Sequence, residues 1–217
     1  MTYSTSVGLF LTRVPVLSIP PRPVCRRCMR TLIVSEFVTL DGVMEAPGGE
    51  ASHPLTGWVS DYQGPEQIAY KFQEVLDAEL LLVGRVTYES FAGAWPTYTG
   101  EFADRMNGMP KVVVSSTLTD PEWNNTTVLS GDVVEGVTEL KAGDGGPILV
   151  GGSNTLVHTL LDNELVDELR LLVFPVTIGS GLRVFPETTR KRRWTMTDSQ
   201  TFPAGQRVDT YHPEEVA

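Results

Sequence analysis

The chain has 217 residues, of which 41% are hydrophobic and 20% are charged, and its formal net charge is -10 at pH 7. The composition is that of a globular domain. Binding to nucleic acid needs clustered Lys and Arg to neutralise phosphates, so the acidic charge excludes this class. No run of about 18 consecutive apolar residues exists, so a membrane span is not expected.

The first 28 residues differ from those that follow. They contain Pro15, Pro20, Pro21 and Pro23, no acidic residue and no hydrophobic period. They also lack the basic start, apolar core and cleavage site of a secretory signal. We interpret residues 1–28 as a disordered or misassigned extension, and we expect residues 29–217 to form one domain.

The cysteines and histidines do not predict a metal site. Cys25 and Cys28 form a lone CxxC pair, and the three histidines are scattered without the spacing of metal ligands. We expect both cysteines to be free thiols in a reducing compartment, which favours a cytoplasmic protein.

From Met29 onward, short apolar runs alternate with amphipathic segments. This alternation predicts an α/β fold whose central sheet is mostly parallel. The last two strands follow each other without a helix, which predicts an antiparallel C-terminal edge. Helices are predicted over 65–77 and 153–162. Strands are predicted over 31–38, 79–83, 111–115, 126–129, 147–150, 168–174, 193–199 and 207–211.

Ligands of such sheets bind beyond the carboxyl ends of the strands. In "LLLVGRVTYESF" (80–91) a buried strand meets a helix at Gly84 and Arg85. The first N–H groups of a helix are unpaired and a guanidinium binds phosphate, so Arg85 and Thr87 indicate an anion site.

Two further strand ends have related features. "ILVGGSN" places Gly151 and Gly152 before a helix, where a backbone without Cβ atoms lets a phosphate approach closely. "KVVVSS" ends on Ser115 and Ser116, whose hydroxyls can bind phosphate or sugar. Each motif alone is compatible with a simple turn. Together they predict a pocket for a dinucleotide that carries an extra phosphate.

In this order the three segments resemble the cofactor segments of the dihydrofolate reductase superfamily. They are most similar to the branch that contains the reductase domain of the bifunctional riboflavin-biosynthesis deaminase-reductase. "VTLDGVM" and "DELRLLVFPVTIGSGLRVF" are typical of that branch. The resemblance implies a central eight-stranded, mostly parallel sheet with helices on both faces, NADPH as the cofactor, and a possible homodimer. It assigns NADPH binding to Gly84, Arg85, Thr87, Ser115, Ser116, Gly151, Gly152, Ser153, Asn154 and Thr155.

The resemblance also places the loop around Asp41 and Gly42 beside nicotinamide and substrate. Reduction of an imine needs a proton as well as a hydride, and Asp41, Asp61 and Glu66 are the candidate donors. Each has an alternative role in a turn, a solvated loop or a helix start. Candidate substrate contacts are Trp58, which could stack on a flat ring, and Arg183, a cation for a phosphorylated substrate.

Two features separate the chain from its better-known relatives. Leu172 stands where folate reductases carry a threonine that supports pterin binding, and no zinc-binding deaminase motif is present. The sequence therefore favours an NADPH-dependent reductase of a small heterocycle or imine, resembling 5-amino-6-(5-phosphoribosylamino)uracil reductase. A dihydrofolate reductase and a non-catalytic NADP-binding protein remain the alternatives.

Overall fold

The computed structural model describes residues 29–188 and 190–214, so the predicted extension 1–28 lies outside the described residues. Eight strands and five α-helices form the domain, with two short 3-10 helices at Ser60–Tyr62 and Trp95–Thr97. In chain order the elements are β1 (Leu32–Thr39), α1 (Pro65–Asp77), β2 (Leu80–Gly84), α2 (Arg85–Ala94), α3 (Glu101–Gly108), β3 (Lys111–Val114), β4 (Thr126–Leu129), α4 (Val133–Ala142), β5 (Ile148–Val150), α5 (Asn154–Asp162), β6 (Glu168–Phe174), β7 (Trp194–Thr201) and β8 (Arg207–Pro213).

All eight strands belong to one sheet with the order β4-β3-β2-β5-β1-β6-β8-β7. The pairs from β4 to β6 are parallel, whereas β8 pairs antiparallel with both β6 and β7. The predicted mostly parallel sheet with an antiparallel C-terminal edge is therefore confirmed. β2 and β3 are parallel neighbours that are consecutive in the chain, and α2 and α3 lie in their crossover connection. β3 and β4 are also parallel, but a loop without a helix joins them.

The central strands are buried on both faces, which explains their continuous apolar sequences. Leu80 and Leu82 of β2 pack in one core cluster with residues of α4 and α5. Leu81 and Val83, which point to the opposite face, pack with residues of α1, α2 and α3. Helices thus cover both faces of the sheet, as predicted.

The short strand β5 creates a cleft in the middle of the sheet. It pairs with β1 only from Leu32 to Val34 of β1 and with β2 only from Leu80 to Leu82. Beyond Val34, β1 continues along β6 as far as Thr39. The side of β1 that faced β5 is therefore left without a strand partner from Ser35 onward, and a ligand can enter there.

No helix of the described residues is long and apolar enough to cross a membrane.

The turns after β2 and β5 are in close contact. The Gly84 amide donates a hydrogen bond to the Gly152 carbonyl over 3.3 Å. A Cβ atom on Gly84 would lie 2.1 Å from Ser153 Oγ and 3.0 Å from Ser153 Cβ. Gly84 is therefore required by packing, since its backbone conformation is one that any residue adopts.

We predict that Gly84→Ala destabilises the domain by about 1–3 kcal/mol, the usual cost of overpacking. Gly93 is the matched control, because a Cβ atom there meets nothing within 4 Å. Gly93 lies in α2, so Gly93→Ala should stabilise the domain by about 0.5–1 kcal/mol. Urea denaturation of both variants tests this. If the two substitutions changed stability equally, the contact with Ser153 would not limit residue 84.

Candidate active site

Two cavities lie along the carboxyl ends of the parallel strands. The larger has a volume of about 750 Å³ and the smaller about 420 Å³. Val86 and Ser153 line both of them. The cavities therefore form one continuous groove across the cleft beyond β5.

The ten residues assigned to cofactor binding all line this groove. Six of them line the smaller cavity: Gly84, Arg85, Ser115, Ser116, Ser153 and Thr155. The larger cavity is lined by Thr87, Gly151, Gly152, Asn154 and again Ser153. Three segments that are distant in sequence are thus brought to one surface.

In the smaller cavity, Arg85 is exposed and forms an ion pair of 2.6 Å with Glu89, one turn along α2. An exposed pair of this kind contributes little stability, so the guanidinium can exchange Glu89 for a phosphate at small cost. Ser115 shapes the turn, because its Oγ accepts a hydrogen bond of 2.9 Å from the Leu118 amide. Ser116 is exposed beside it.

The backbone at the junction of the cavities is suited to a phosphate. Gly152 has a φ of +84°, and a Cβ atom there would lie 2.7 Å from Thr87 Oγ1. The peptide between Gly152 and Ser153 is cis. Ser153 is the N-cap residue of α5, but its side chain makes no capping hydrogen bond to the described part of the chain. The first amides of α5 therefore remain available to an anion.

The wall of the larger cavity formed by α1, α2 and α3 is mostly apolar. The residues that form it are Ile68, Val75, Val86, Phe91, Trp95, Phe102 and Met106. Trp95 packs against Phe102 with the ring centroids 4.9 Å apart. This wall provides a flat, rigid surface for a planar ligand.

The strongest electrostatic feature of the cavity is Glu36, in the part of β1 that extends beyond β5. Its side chain is only 7% exposed, and its Oε1 accepts a hydrogen bond of 2.6 Å from the Gly152 amide. Burial raises the pKa of Glu36 to about 8, although the Gly152 hydrogen bond and the positive charge of Lys71 oppose the shift. Glu36 is therefore a neutral carboxylic acid at pH 7.

Glu74, on α1, has the opposite protonation state. It is 3% exposed and contacts Lys71 at 2.5 Å and Arg170 at 3.0 Å. Burial alone would raise the pKa of Glu74, but these two cations lower it below its usual value. Lys71 also donates a hydrogen bond of 2.9 Å to Ser35 Oγ. Glu74 thus neutralises Lys71, the cation in the cavity wall.

Gln67 provides a second polar group in this cavity. Its side chain is 5% exposed, and its Oε1 has no hydrogen-bond partner within the described residues. A buried amide oxygen without a partner is costly, and this one belongs to a residue of the cavity wall.

The candidate proton donors suggested by the sequence lie elsewhere. Asp41 lines neither cavity, and its carboxylate accepts hydrogen bonds from Thr39 Oγ1 at 2.6 Å and the Gly179 amide at 2.7 Å. The Thr39 hydrogen bond is the main cause of the lowered pKa of Asp41. Asp61 and Glu66 are exposed and also line neither cavity. None of the three contacts the groove.

The candidate substrate contacts also support the loops around the groove. Arg183 donates to the Asp41 carbonyl, and Gly42 has a φ of +81° in the same turn. The Trp58 indole donates to the Glu45 carbonyl over 2.8 Å and its ring packs edge-on against Phe174. None of these three residues lines a cavity.

The sequence interpretation did not identify Glu36, Gln67 or Lys71. One signal was available for Glu36, because it is the only charged residue in "LIVSEFVT", an otherwise apolar strand. A charged residue in a strand that is buried on both faces needs a reason.

The described part of the chain contains no cluster of three or more His, Cys, Asp or Glu side chains able to hold a metal.

Comparison with solved structures defines the class of fold. Dihydrofolate reductase from Enterococcus faecalis, complexed with NADP(H) and RAB-propyl, aligns with a TM-score of 0.57 and 16% identity over 85% of this chain and 97% of that one. A candidate riboflavin biosynthesis protein from Shewanella sp. PV-4 aligns with a TM-score of 0.69 and 20% identity over 85% and 99%. A pyrimidine reductase-like protein from Corynebacterium diphtheriae aligns with a TM-score of 0.60 and 12% identity over 90% and 96%. The protein has the dihydrofolate reductase-like fold.

The family follows from the sequence comparison. The model of the RibD C-terminal domain matches residues 30–208. The chain therefore belongs to the RibD C-terminal domain family, a family of reductase-like domains. It is 26% identical over 188 residues to the uncharacterized protein YyaP of Bacillus subtilis, covering 84% of this chain and 95% of YyaP. It is 24% identical over 184 residues to YwjB of the same organism, covering 84% and 97%.

We predict that Glu36→Gln stabilises the protein increasingly as the pH rises. Folding raises the pKa of Glu36 from 4.5 to about 8. The stability that the protonated carboxyl contributes is therefore complete below pH 4.5 and is lost as the pH rises through about 8. The advantage of the variant should grow by about 1.4 kcal/mol per pH unit across this window.

Urea denaturation at a series of pH values measures this difference. Glu101→Gln, at an exposed position in the first turn of α3, is the control and should show no such trend. If the difference in unfolding free energy between Glu36→Gln and the wild type did not change with pH, Glu36 would titrate with an ordinary pKa.

Proposed function

We propose that the protein is an NADPH-dependent reductase of a small, flat heterocycle. One observation carries this proposal: all ten residues that the sequence assigns to NADPH line a single groove. The dihydrofolate reductase-like fold and the reductase-like family support the same conclusion.

The groove fits the parts of NADPH. Arg85, Ser115 and Ser116 would hold the adenosine end and its 2′-phosphate, because they combine an exposed guanidinium, paired only with an exposed carboxylate, with two hydroxyls in the smaller cavity. Gly152 and Ser153 would hold the pyrophosphate at the start of α5. When bound, NADPH supplies the hydride. The protein's contribution is to orient cofactor and substrate and to exclude water.

The larger cavity favours a substrate without a phosphate group. Lys71 is the one cationic side chain that lines this cavity within the described residues, and Glu74 neutralises it. Arg183 does not line the cavity. A phosphate would have to lose its hydration without gaining a free cation, which is unfavourable.

We predict that Arg85→Ala weakens NADPH binding by about 10- to 100-fold, the value of a charge-assisted hydrogen bond, and leaves NADH binding nearly unchanged. Glu89→Gln is the matched control, because it removes the partner of Arg85 and leaves the guanidinium in place. It should bind NADPH at least as tightly as the wild type. Calorimetric titration of both nucleotides measures these affinities. If Arg85→Ala weakened the binding of NADPH and of NADH equally, Arg85 would not contact the 2′-phosphate.

We predict that NADPH oxidation is supported at least as well by 5-amino-6-ribosylaminouracil as by its 5′-phosphate, measured as kcat/KM. A strong preference for the phosphorylated compound would contradict the assignment of an uncharged substrate.

Dihydrofolate belongs in the same panel of compounds to test the folate reductase alternative. If NADPH neither binds nor raises the melting temperature, the proposed function itself is wrong. If it binds and no compound is reduced, the non-catalytic alternative is favoured.

A further inference from the structure

We propose that Glu36 is the catalytic acid of this site. It holds a proton at Oε2 and donates it to the substrate atom next to the carbon that receives the hydride. This inference rests on the proposed reductase function and identifies the proton donor that the reaction needs.

The position of Glu36 is the first argument. It lies on the part of β1 that extends beyond β5, where the two cavities meet at the cleft. Its Oε1 is bound to the Gly152 amide, in the segment that we assign to the cofactor. Oε2 is therefore the oxygen available to carry a proton. Glu36 is thus the carboxyl group in contact with both the cofactor segment and the substrate cavity.

The other carboxyl groups of the larger cavity are bound to loops. Glu45 Oε2 accepts a hydrogen bond of 2.9 Å from the Leu182 amide, and Glu50 Oε2 accepts one of 2.9 Å from the Gly48 amide. Both are much less buried than Glu36. These hydrogen bonds fix both side chains within the loops around the cavity.

The charges around Glu36 leave it neutral. Lys71 and Glu74 face it from α1, and Arg170 of β6 lies behind Glu74. Lys71 and Arg170 are both paired with Glu74, so neither is free to form an ion pair with Glu36. The Gly152 amide is one hydrogen-bond donor, which is not enough to offset the burial of a charge.

The proposed step is balanced in atoms and electrons. A carbon of a C=N or C=O group accepts a hydride and its electron pair, and the π bond to nitrogen or oxygen breaks. The nitrogen or oxygen accepts the proton from Glu36 Oε2, so the substrate gains two hydrogens and NADPH becomes NADP⁺. The Glu36 carboxylate takes a proton from water after the product leaves.

The first test needs no substrate. Infrared spectra of the NADP⁺-loaded protein should show the C=O stretch of a protonated carboxylic acid at neutral pH. This band should disappear as the pH rises through about 8 and should be absent from Glu36→Gln. If the wild type and Glu36→Gln have identical spectra at neutral pH, Glu36 holds no proton and the proposal is overturned.

The second test measures the rate with isatin, a flat and uncharged ring ketone, and with any panel compound that the wild type reduces. Glu36→Gln should keep the wild-type affinity for NADPH but lower kcat by about 100-fold, the usual contribution of a general acid. The wild-type kcat should decrease about tenfold per pH unit above the pKa of Glu36, whereas the residual rate of the variant should not depend on pH.

Glu101→Gln, on the outer surface of α3, is the matched control and should keep the wild-type rate and pH profile. If Glu36→Gln reduced isatin at the wild-type rate with the wild-type pH profile, another group would supply the proton and the proposal would be overturned. If the wild type does not bind NADPH, the proposed function is refuted instead. The two failures are therefore distinguishable.

Discussion

The close approach of two turns determines the geometry of the site. β2 and β5 are parallel neighbours with Leu82 opposite Val150, and two residues further along each strand Gly84 and Gly152 lie side by side. They can do so only because Gly84 and Gly152 carry no side chains: a Cβ atom on either would lie within 2.7 Å of a neighbouring side chain. The starts of α2 and α5 are thereby adjacent. Their unpaired amides and Arg85 then face one groove, and the cleft beyond β5 opens at its end.

The site also depends on two buried glutamates with opposite protonation states. Glu74 has two cationic partners and is ionised, whereas Glu36 has one backbone donor and is neutral. Two similar side chains whose environments separate their pKa values are suited to different tasks. Glu74 fixes Lys71 and Arg170 and so holds α1 against the sheet. Glu36 keeps a removable proton in the cavity, at the expense of stability at alkaline pH.

Much of the fold could be predicted because its signals are local. The predicted bounds of α1 and β6 agree with the structure, since each has a strong period or apolar run between clear ends. α3 and α4 were not predicted individually. α3 has only eight residues, and α4 combines three β-branched valines with Gly136, residues of low helix propensity, so neither segment has a strong local signal. Tertiary packing against the sheet stabilises both helices.

The residues that we propose for the cofactor and the proposed acid Glu36 also differed in how far the sequence alone predicts them. The residues that we propose for the cofactor form short contiguous groups where strands end, so the sequence alone predicts that they lie together. Glu36 could not be recognised as an acid from its own segment, because its partner Gly152 is 116 residues away and its burial depends on the whole sheet. Asp41 was a candidate because the resemblance places its loop beside the substrate, but its carboxylate binds Thr39 and the Gly179 amide, in line with the alternative role in a turn. The unpaired oxygen of Gln67 is likewise a property of the folded cavity.

The shortness of β5 has a consequence for how this architecture can change. Because β5 ends at Val150, the groove is assembled from two sets of segments that scarcely overlap in sequence. The half that we propose for the nucleotide comes from the turns after β2, β3 and β5, and the half that we propose for the substrate comes from the end of β1, α1 and the faces of α2 and α3 that line the larger cavity. Substitutions in the second set can reshape the pocket for a new ring while the first set is inherited intact. The ligand specificity of the domain would then change through the substrate half alone.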